Sequence, residues 1–495
     1  MGKDKSIKFH LLYSLSWIVA IVLPLIMWCL KLPIVESTYD GSAPNTIDSQ
    51  PFELFGFFIT IVLVFTTHLK FVQQPRKTIS KVIPIILPLL VYLNLLFIQV
   101  ETFEIKSSDF MCYETAARSI LAGANPYAGT SSCYLYPPLL AQVLSTLHQI
   151  VTYNPIFAIT DDVKVWTVLT YFYQCAQFFQ VVLAYHLTSL LAQNLSRKVL
   201  PTSLLVSALF LFNYPLVRTL TFDQVNLWVL NSFLLGILLL NRYPFLGGLA
   251  VALGAHLKLY TLVLLLPWGL TRRWKSILGM MIGVVAIIMI ETSWTSNWTL
   301  WQQFLNYFRS PEKPSNYRNN GIWSLFFNLA KIPSRFLHTD LLFNAVPIVV
   351  TGLNLLILIW FILRFIQREQ IYIKLVKMQN EVASWNNIFR SYGHSIDAIA
   401  LSLLISPSVW EHHYVIAIPI SIWAITISKY NNLWLSLIGT FLIFCIPTFE
   451  IFPLSFHRLL GLLLLVYLTA PNHTICYFPV ANKKYENYAS SVSSS

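Results

Sequence analysis

The sequence predicts an all-α protein, a polytopic membrane bundle of about 12–14 transmembrane helices with further helices in its extracytoplasmic loops. Of its 495 residues, 56% are hydrophobic and only 11% are charged. The mean hydropathy of +0.62 is too high for a soluble globular protein. Apolar runs of about 18 residues recur along the chain, each long enough to cross about 30 Å of hydrocarbon as a helix. Because hydrocarbon leaves open backbone groups unsatisfied, we expect these runs to be helical.

Positive charge sets the predicted orientation. The net charge is +12, but the basic residues lie in short loops between the spans. Sorting of Lys and Arg to the cytoplasmic side explains this placement better than nucleic-acid binding does. The first span, 11–30, follows a lysine-rich start. It is too long for a signal peptide and lacks a small-residue cleavage site, so it is predicted to be a retained anchor.

Spans 55–67 and 82–100 follow, and the loop between them is basic and predicted to be cytoplasmic. Residues 101–162 therefore form an extracytoplasmic loop. Spans 165–192, 204–220 and 225–240 come next. The stretch 244–270 is too short to leave and return as two full spans, which predicts two short helices or a re-entrant hairpin. Its tip, with His256, Lys258 and Tyr260, should line a cavity.

The C-terminal half begins with span 277–290, which leads into a long outer loop, 291–340. Span 341–363 returns to a basic cytoplasmic stretch with Arg364 and Arg368. The last predicted spans are 396–406, 412–428, 434–446 and 453–470. Residues 1–480 are expected to be a single membrane-embedded domain, and 481–495 a disordered cytoplasmic tail.

Cys112 and Cys133 share the first outer loop. A disulfide between them is one interpretation. The other interpretation is that both cysteines are unpaired small residues. We favour it because no paired cysteine pattern supports the bridge.

A carboxylate opens the same loop. Asp109 lies just past a hydrophobic span, and Glu114 and Arg118 follow on one face of a predicted helix. Asp109 is either a general base or the N-cap of a helix that begins near Cys112, and one residue can serve as both.

Three further polar groups interrupt apolar sequence, where ionisable residues are costly and are candidates for function. Arg218, Asp223, Gln224 and Asn226 form a polar turn with a helix cap, or bind the polar part of a substrate. Lys258, with His256 and Tyr260, either binds a lipid-linked phosphate or extends to the membrane interface.

The third group is the run from Ser406 to Tyr414. Its adjacent His412 and His413 point about 100° apart on a helix, so they are poorly placed to chelate one metal. They either hydrogen-bond to a phosphate or sugar or form a satisfied structural pair beside Glu411. The outer loop 291–340 also carries excess positive charge, including Arg318, which would suit an anionic ligand.

These motifs together resemble glycosyltransferase family 87 over residues 107–414, in order and in topology. The motifs that carry the resemblance are Asp109 to Tyr127 with its AsnProTyr turn, TyrProProLeu at 136–139, AspGlnValAsn at 223–226, the stretch 247–260 and TrpGluHisHisTyr at 410–414. The resemblance implies a GT-C-like fold and an inverting enzyme with Asp109 as the catalytic base, working without a metal or cofactor.

The resemblance also implies roles for other residues. Those expected near the donor phosphate or sugar are Lys258, His412, His413, Tyr260, His256 and Arg318. Those expected to contact the acceptor or shape the loops are Glu114, Asn125, Tyr127, Tyr136, Asp223, Gln224, Asn226 and Glu411. Two positions depart from the family, since Asp223 stands where glycine is more common and His256 is atypical.

The expected function is transfer of a hexose from a polyprenyl-phosphate sugar to a lipid or glycan acceptor, and mannose is the hexose that we expect. The expected partners are those two substrates and membrane lipids, with no nucleic acid. The expected place is the extracytoplasmic face of the plasma membrane. A transporter or flippase for a lipid-linked or anionic substrate is the alternative, but such a protein should show paired repeats with interrupted helices, and none is evident.

Overall fold

The computed structural model of the chain describes residues 86–96, 107–128, 133–154, 159–196, 199–295, 298–309, 319–337, 341–378, 383–428, 430–448 and 453–471. These residues form an all-α structure, which confirms the predicted fold class. The predicted spans 11–30 and 55–67 and the tail 481–495 lie outside the described residues. The prediction of a single domain stays a prediction.

The α-helices are α1 Ile86–Leu96, α2 Ser108–Leu121, α3 Leu139–Tyr153, α4 Asp162–Ser196, α5 Val199–Leu211, α6 Tyr214–Thr221, α7 Asn226–Leu239, α8 Pro244–Leu257, α9 Leu265–Leu270, α10 Trp274–Thr295, α11 Thr299–Arg309, α12 Ile322–Leu337, α13 Leu341–Met378, α14 Ala383–Ile405, α15 Ile418–Ile427, α16 Tyr430–Phe444 and α17 His457–Leu468. Short 3₁₀ segments occupy Leu259–Leu264, Glu411–Ala417 and Leu454–Phe456. The described residues contain no β-strand, and one isolated bridge joins Asn319 to Trp410.

Three described helices, α4, α10 and α13, are long and apolar enough to cross a membrane. The predicted span 204–220 is not one continuous helix, because α5 and α6 meet at a bend of 49°. Asn213 causes the break. Its side chain accepts a hydrogen bond from Leu216 N at 2.9 Å, which caps α6, and Pro215 follows in the first turn.

The predicted short helices within 244–270 are confirmed as α8 and α9, joined by the 3₁₀ segment Leu259–Leu264. Lys258 stands at the break with an extended backbone. Close packing fixes α8 against α10, because a Cβ atom at Gly248 would lie 2.1 Å from Ser276 O and one at Gly279 would lie 2.2 Å from Phe245 O. Small residues of this kind let apolar helices approach closely.

The stretch after residue 363, which was predicted to be a basic cytoplasmic loop, begins as a continuation of a helix in the structure. Helix α13 continues to Met378, and Arg364 and Arg368 are buried inside the bundle. Both contact the buried Asp397 of α14, at 2.7 and 2.8 Å. Arg364 also donates to Val466 O in α17 at 2.9 Å. A carboxylate from a neighbouring helix therefore compensates two cations that local sequence placed in a loop.

Candidate active site

Asp109 lies in the first turn of α2, and it is not the N-cap. Ser107 is the cap, since its Oγ accepts a hydrogen bond from Phe110 N at 3.0 Å. The same hydroxyl donates to Phe222 O at 3.0 Å, which ties the start of α2 to the loop between α6 and α7. Because Ser107 supplies the cap, the side chain of Asp109 is not needed to cap the start of the helix.

Gln224 contacts the Asp109 carboxylate directly. Its Nε2 donates to Asp109 Oδ2, and its Oε1 accepts a hydrogen bond from Tyr136 OH at 2.7 Å. Asp109 Oδ1 accepts no hydrogen bond from the residues that the structure describes. The half-buried carboxylate therefore has one oxygen held by the protein and the other available.

The loop that carries Gln224 has a strained backbone. Asp223 has a φ of 54°, in the left-handed region that favours glycine. This conformation explains why glycine suits the position in the family that the sequence resembles. Two α4 residues hold the loop, since Tyr173 OH donates to Asp223 O at 2.9 Å and Gln177 Nε2 donates to Gln224 O at 2.6 Å.

Sequence analysis missed Tyr173 and Gln177. Their signal is that they belong, with Gln174 and Gln180, to a group of polar residues within a largely apolar span. Such a group does not reveal which loop it contacts.

Lys258 contacts the same loop at Asn226, two residues after Gln224. Its Nζ donates to Asn226 Oδ1 at 3.0 Å and lies 2.5 Å from His413 Nε2. The ammonium also lies 5.5 Å from the centre of the Tyr136 ring. Because these groups bind it inside the protein, the interpretation of Lys258 as a side chain that extends to the membrane interface is not supported.

Tyr260 and the two histidines complete this side of the site. Tyr260 OH lies 2.9 Å from Ser406 Oγ and 3.2 Å from His413 Nδ1. His412 differs from His413, because neither of its ring nitrogens is hydrogen-bonded within the described ranges. Its carbonyl accepts from Asn226 Nδ2 at 3.3 Å. His413 is therefore a satisfied member of the network, and His412 keeps a ring that is free to bind a ligand.

Glu411 connects the 3₁₀ segment Glu411–Ala417 to α6. Its Oε1 lies 2.9 Å from Arg218 Nε, and its Oε2 accepts a hydrogen bond from Thr448. Arg458 donates to Thr448 Oγ1 at 2.6 Å. Glu411 is 2% exposed, so its geometry favours the loop-shaping role that the sequence suggested over contact with a substrate.

The first loop is braced at several points. Cys112 and Cys133 form a disulfide, which corrects our preference for two unpaired cysteines. Glu114 pairs with Arg118 at 2.8 Å, and Arg118 reaches Asp162 at the start of α4 at 2.6 Å.

The AsnProTyr turn adds two bonds to this bracing. Asn125 Oδ1 accepts from Tyr127 N at 2.9 Å, and Tyr127 OH donates to Tyr136 O at 2.9 Å. These contacts position Tyr136, and through it Gln224.

His256 does not join Lys258 and Tyr260. Its Nδ1 lies 3.3 Å from Glu291 Oε1, and its ring packs edge-on against Trp301. The residue is in the last helical turn of α8, whereas Lys258 follows in extended backbone, so the two side chains leave the chain in different directions. Arg318, the other donor-side candidate, lies outside the described residues.

Burial raises the pKa of the Asp109 carboxyl above its ordinary value, and the hydrogen bond from Gln224 and the charge of Lys258 oppose this shift. Burial also raises the pKa of Asp223 to about 7. A proton acceptor thus lies in the same site as a cation and a histidine ring. The described residues bring together no group of three or more His, Cys, Asp or Glu that could hold a metal. Metal-free chemistry stays a prediction.

Residues 134–377 match the model of glycosyltransferase family 87. The matched range contains Tyr136, Asp223 to Asn226 and Lys258, whereas Asp109 precedes it and His412 and His413 follow it. No curated protein matches the chain.

Proposed function

Because the chain belongs to glycosyltransferase family 87 and is a membrane glycosyltransferase, we propose that it transfers a hexose from a polyprenyl-phosphate sugar to a lipid or glycan acceptor, and that the hexose is mannose. Asp109 is the general base in this proposal, and the product has inverted anomeric configuration.

One observation carries the proposal. Gln224 binds the carboxylate of Asp109, and Asn226, two residues later, binds the ammonium of Lys258. A single loop thereby holds a base and a cation in one site. Transfer from a phosphate-linked sugar needs both, since a hydroxyl must lose a proton while a phosphate gains negative charge.

The chemical step follows from this pairing. The acceptor oxygen attacks the anomeric carbon, and its proton passes to Asp109. The bond between that carbon and the donor phosphate oxygen breaks, and polyprenyl phosphate leaves with the bonding pair. Lys258 stabilises the phosphate charge, and the free ring of His412 is available to hydrogen-bond to it.

We place the reaction on the extracytoplasmic face of the plasma membrane. The disulfide between Cys112 and Cys133 supports the extracytoplasmic side in this proposal, because disulfides persist in oxidising compartments and are rare in the cytosol. Cys112 lies one helical turn from Asp109, so the bridged loop and the base share a side.

The experiment uses detergent-purified protein with radiolabelled polyprenyl-phosphate mannose and a native lipid extract. A labelled product is expected. Asp109→Asn should insert and fold normally but transfer at least about a hundredfold more slowly. Asp161→Asn is the matched control, because Asp161 is an exposed carboxylate whose nearest cation, Lys164, is 3.8 Å away.

Near-wild-type turnover by Asp109→Asn would remove the base from the proposal. The absence of any labelled product from this donor, with transfer from a different sugar donor, would overturn the donor class.

A further inference from the structure

Gln224 has a fixed amide orientation. Its Oε1 accepts from Tyr136 OH at 2.7 Å, so its Nε2 is the end that faces Asp109. In the reverse orientation, the amide oxygen would face a carboxylate oxygen, and two acceptors would repel each other. The charge on Asp109 and the hydroxyl of Tyr136 therefore select the same orientation.

The backbone of Gln224 is held as firmly as its side chain. Gln224 O accepts from Gln177 Nε2 at 2.6 Å, and Gln224 N donates to Thr219 O at 2.9 Å. The residue is only 2% exposed. An amide tied at both ends and excluded from water is preorganised before a substrate arrives.

We propose that Gln224 is a positioning residue that occupies Oδ2 of Asp109 and so makes Oδ1 the atom that receives the acceptor's proton. This inference rests on the proposed function and names the reacting atom within it. Oδ1 accepts no hydrogen bond from the described residues, and rotation that would exchange the two oxygens breaks the bond to Gln224.

Tyr136 extends this control to the donor side. Its hydroxyl orients Gln224, and its ring lies 5.5 Å from the Lys258 ammonium. The group that sets the direction of the base therefore also contacts the proposed phosphate-binding cation. Removing the Tyr136 hydroxyl leaves the contact with Asp109 as the remaining constraint on the Gln224 amide, while the ring stays in place.

Three variants test the inference: Gln224→Met, Gln224→Glu and Tyr136→Phe. Gln224→Met removes the donor but keeps the length of the side chain. We expect kcat to fall at least about tenfold, with KM for the donor within about twofold, because the lost interaction orients the base. Tyr136→Phe should give a smaller loss of kcat in the same pattern.

The pH profile separates positioning from a structural role. A hydrogen bond to a carboxylate favours its charged form, so Gln224→Met should move the acidic limb of kcat/KM to higher pH. Gln224→Glu should move it further, because a second negative charge disfavours ionisation of Asp109. If either glutamine variant unfolds, the pH profiles of the other one and of Tyr136→Phe still show whether the acidic limb of kcat/KM moves.

Asp109→Asn is measured beside these variants. If it is inactive while the Gln224 and Tyr136 variants keep the wild-type limb, the positioning role is wrong and Asp109 remains the base. If Asp109→Asn keeps near-wild-type turnover, Asp109 is not the base, and the positioning role of Gln224 fails with that assignment. A parallel loss of melting temperature and kcat with an unmoved limb would also overturn the inference, because it would make Gln224 merely structural.

Discussion

Lys258 donates a hydrogen bond to Asn226 Oδ1 at 3.0 Å, and Asn226 is the first residue of α7. The contact joins the break between α8 and the 3₁₀ segment to the loop that holds Asp109. Cation and base are therefore positioned by one short segment, 222–226, although they are far apart in sequence.

Lys258→Met should lower kcat/KM at least about a hundredfold, because the leaving phosphate loses its cation in a site shielded from water. Lys258→Arg should recover part of this loss by restoring the charge. Steady-state transfer with a fixed acceptor measures the effect. Equal activity of the Met and Arg variants would rule out a charge-based role for Lys258.

Asp223→Asn should stabilise the protein at alkaline pH. Burial raises the pKa of Asp223 to about 7, above its value in the unfolded chain, so the stability from this group is complete below about pH 4 and is lost as the pH rises through 7. Asn cannot ionise and tolerates the left-handed backbone. We expect a gain of at least about 1 kcal/mol at pH 8, since one pKa unit is about 1.4 kcal/mol.

Melting curves in detergent at pH 4 and pH 8 measure this difference, with Asp161→Asn as the exposed control. A gain that is the same at both pH values would show that ionisation of Asp223 is not its cause.

Cys112→Ser should destabilise the first loop by about 2–4 kcal/mol, because the bridge closes a separation of 21 residues. Limited proteolysis between α2 and α3 reports this local loss. Cys175→Ser is the matched control, since Cys175 is an exposed free thiol. Reaction of Cys112 with a maleimide in the unreduced wild type would contradict the bridge.

Asp397→Ala should cost about 3–5 kcal/mol, because it leaves the buried cations of Arg364 and Arg368 without their shared carboxylate. Asp161→Ala removes an exposed ion pair and the hydrogen bond that Asp161 Oδ1 accepts from Val163 N at the start of α4, and it should cost about 0.5–2 kcal/mol. Thermal unfolding in detergent compares the two. Similar melting temperatures for both variants would show that the buried carboxylate adds no stability.

Sequence predicted the fold because hydrophobicity is a local property. The α7 helix, Asn226–Leu239, matches the predicted span 225–240 closely, and the short helices within 244–270 followed from length alone. The α5–α6 bend was missed because an apolar average hides one capping residue, Asn213, and the proline that follows it.

The site was predicted in part for the same reason. Asp109, Lys258 and the histidines were visible as polar groups in apolar surroundings. Gln224 and Asn226 were visible too, but their pairing was not, because only the geometry of the 222–226 loop directs Gln224 to Asp109 and Asn226 to Lys258. His256 was wrongly grouped with Lys258. The two residues are close in sequence, but their side chains point in different directions because α8 ends between them.

The 222–226 loop also determines how the site responds to motion. We expect a loop that contacts both Asp109 and Lys258 to carry them together when the bundle flexes, so that their separation changes less than the distance of either from the rest of the protein. The separation of Asp109 and Lys258 therefore depends directly on these five residues, together with His413, which also contacts Lys258.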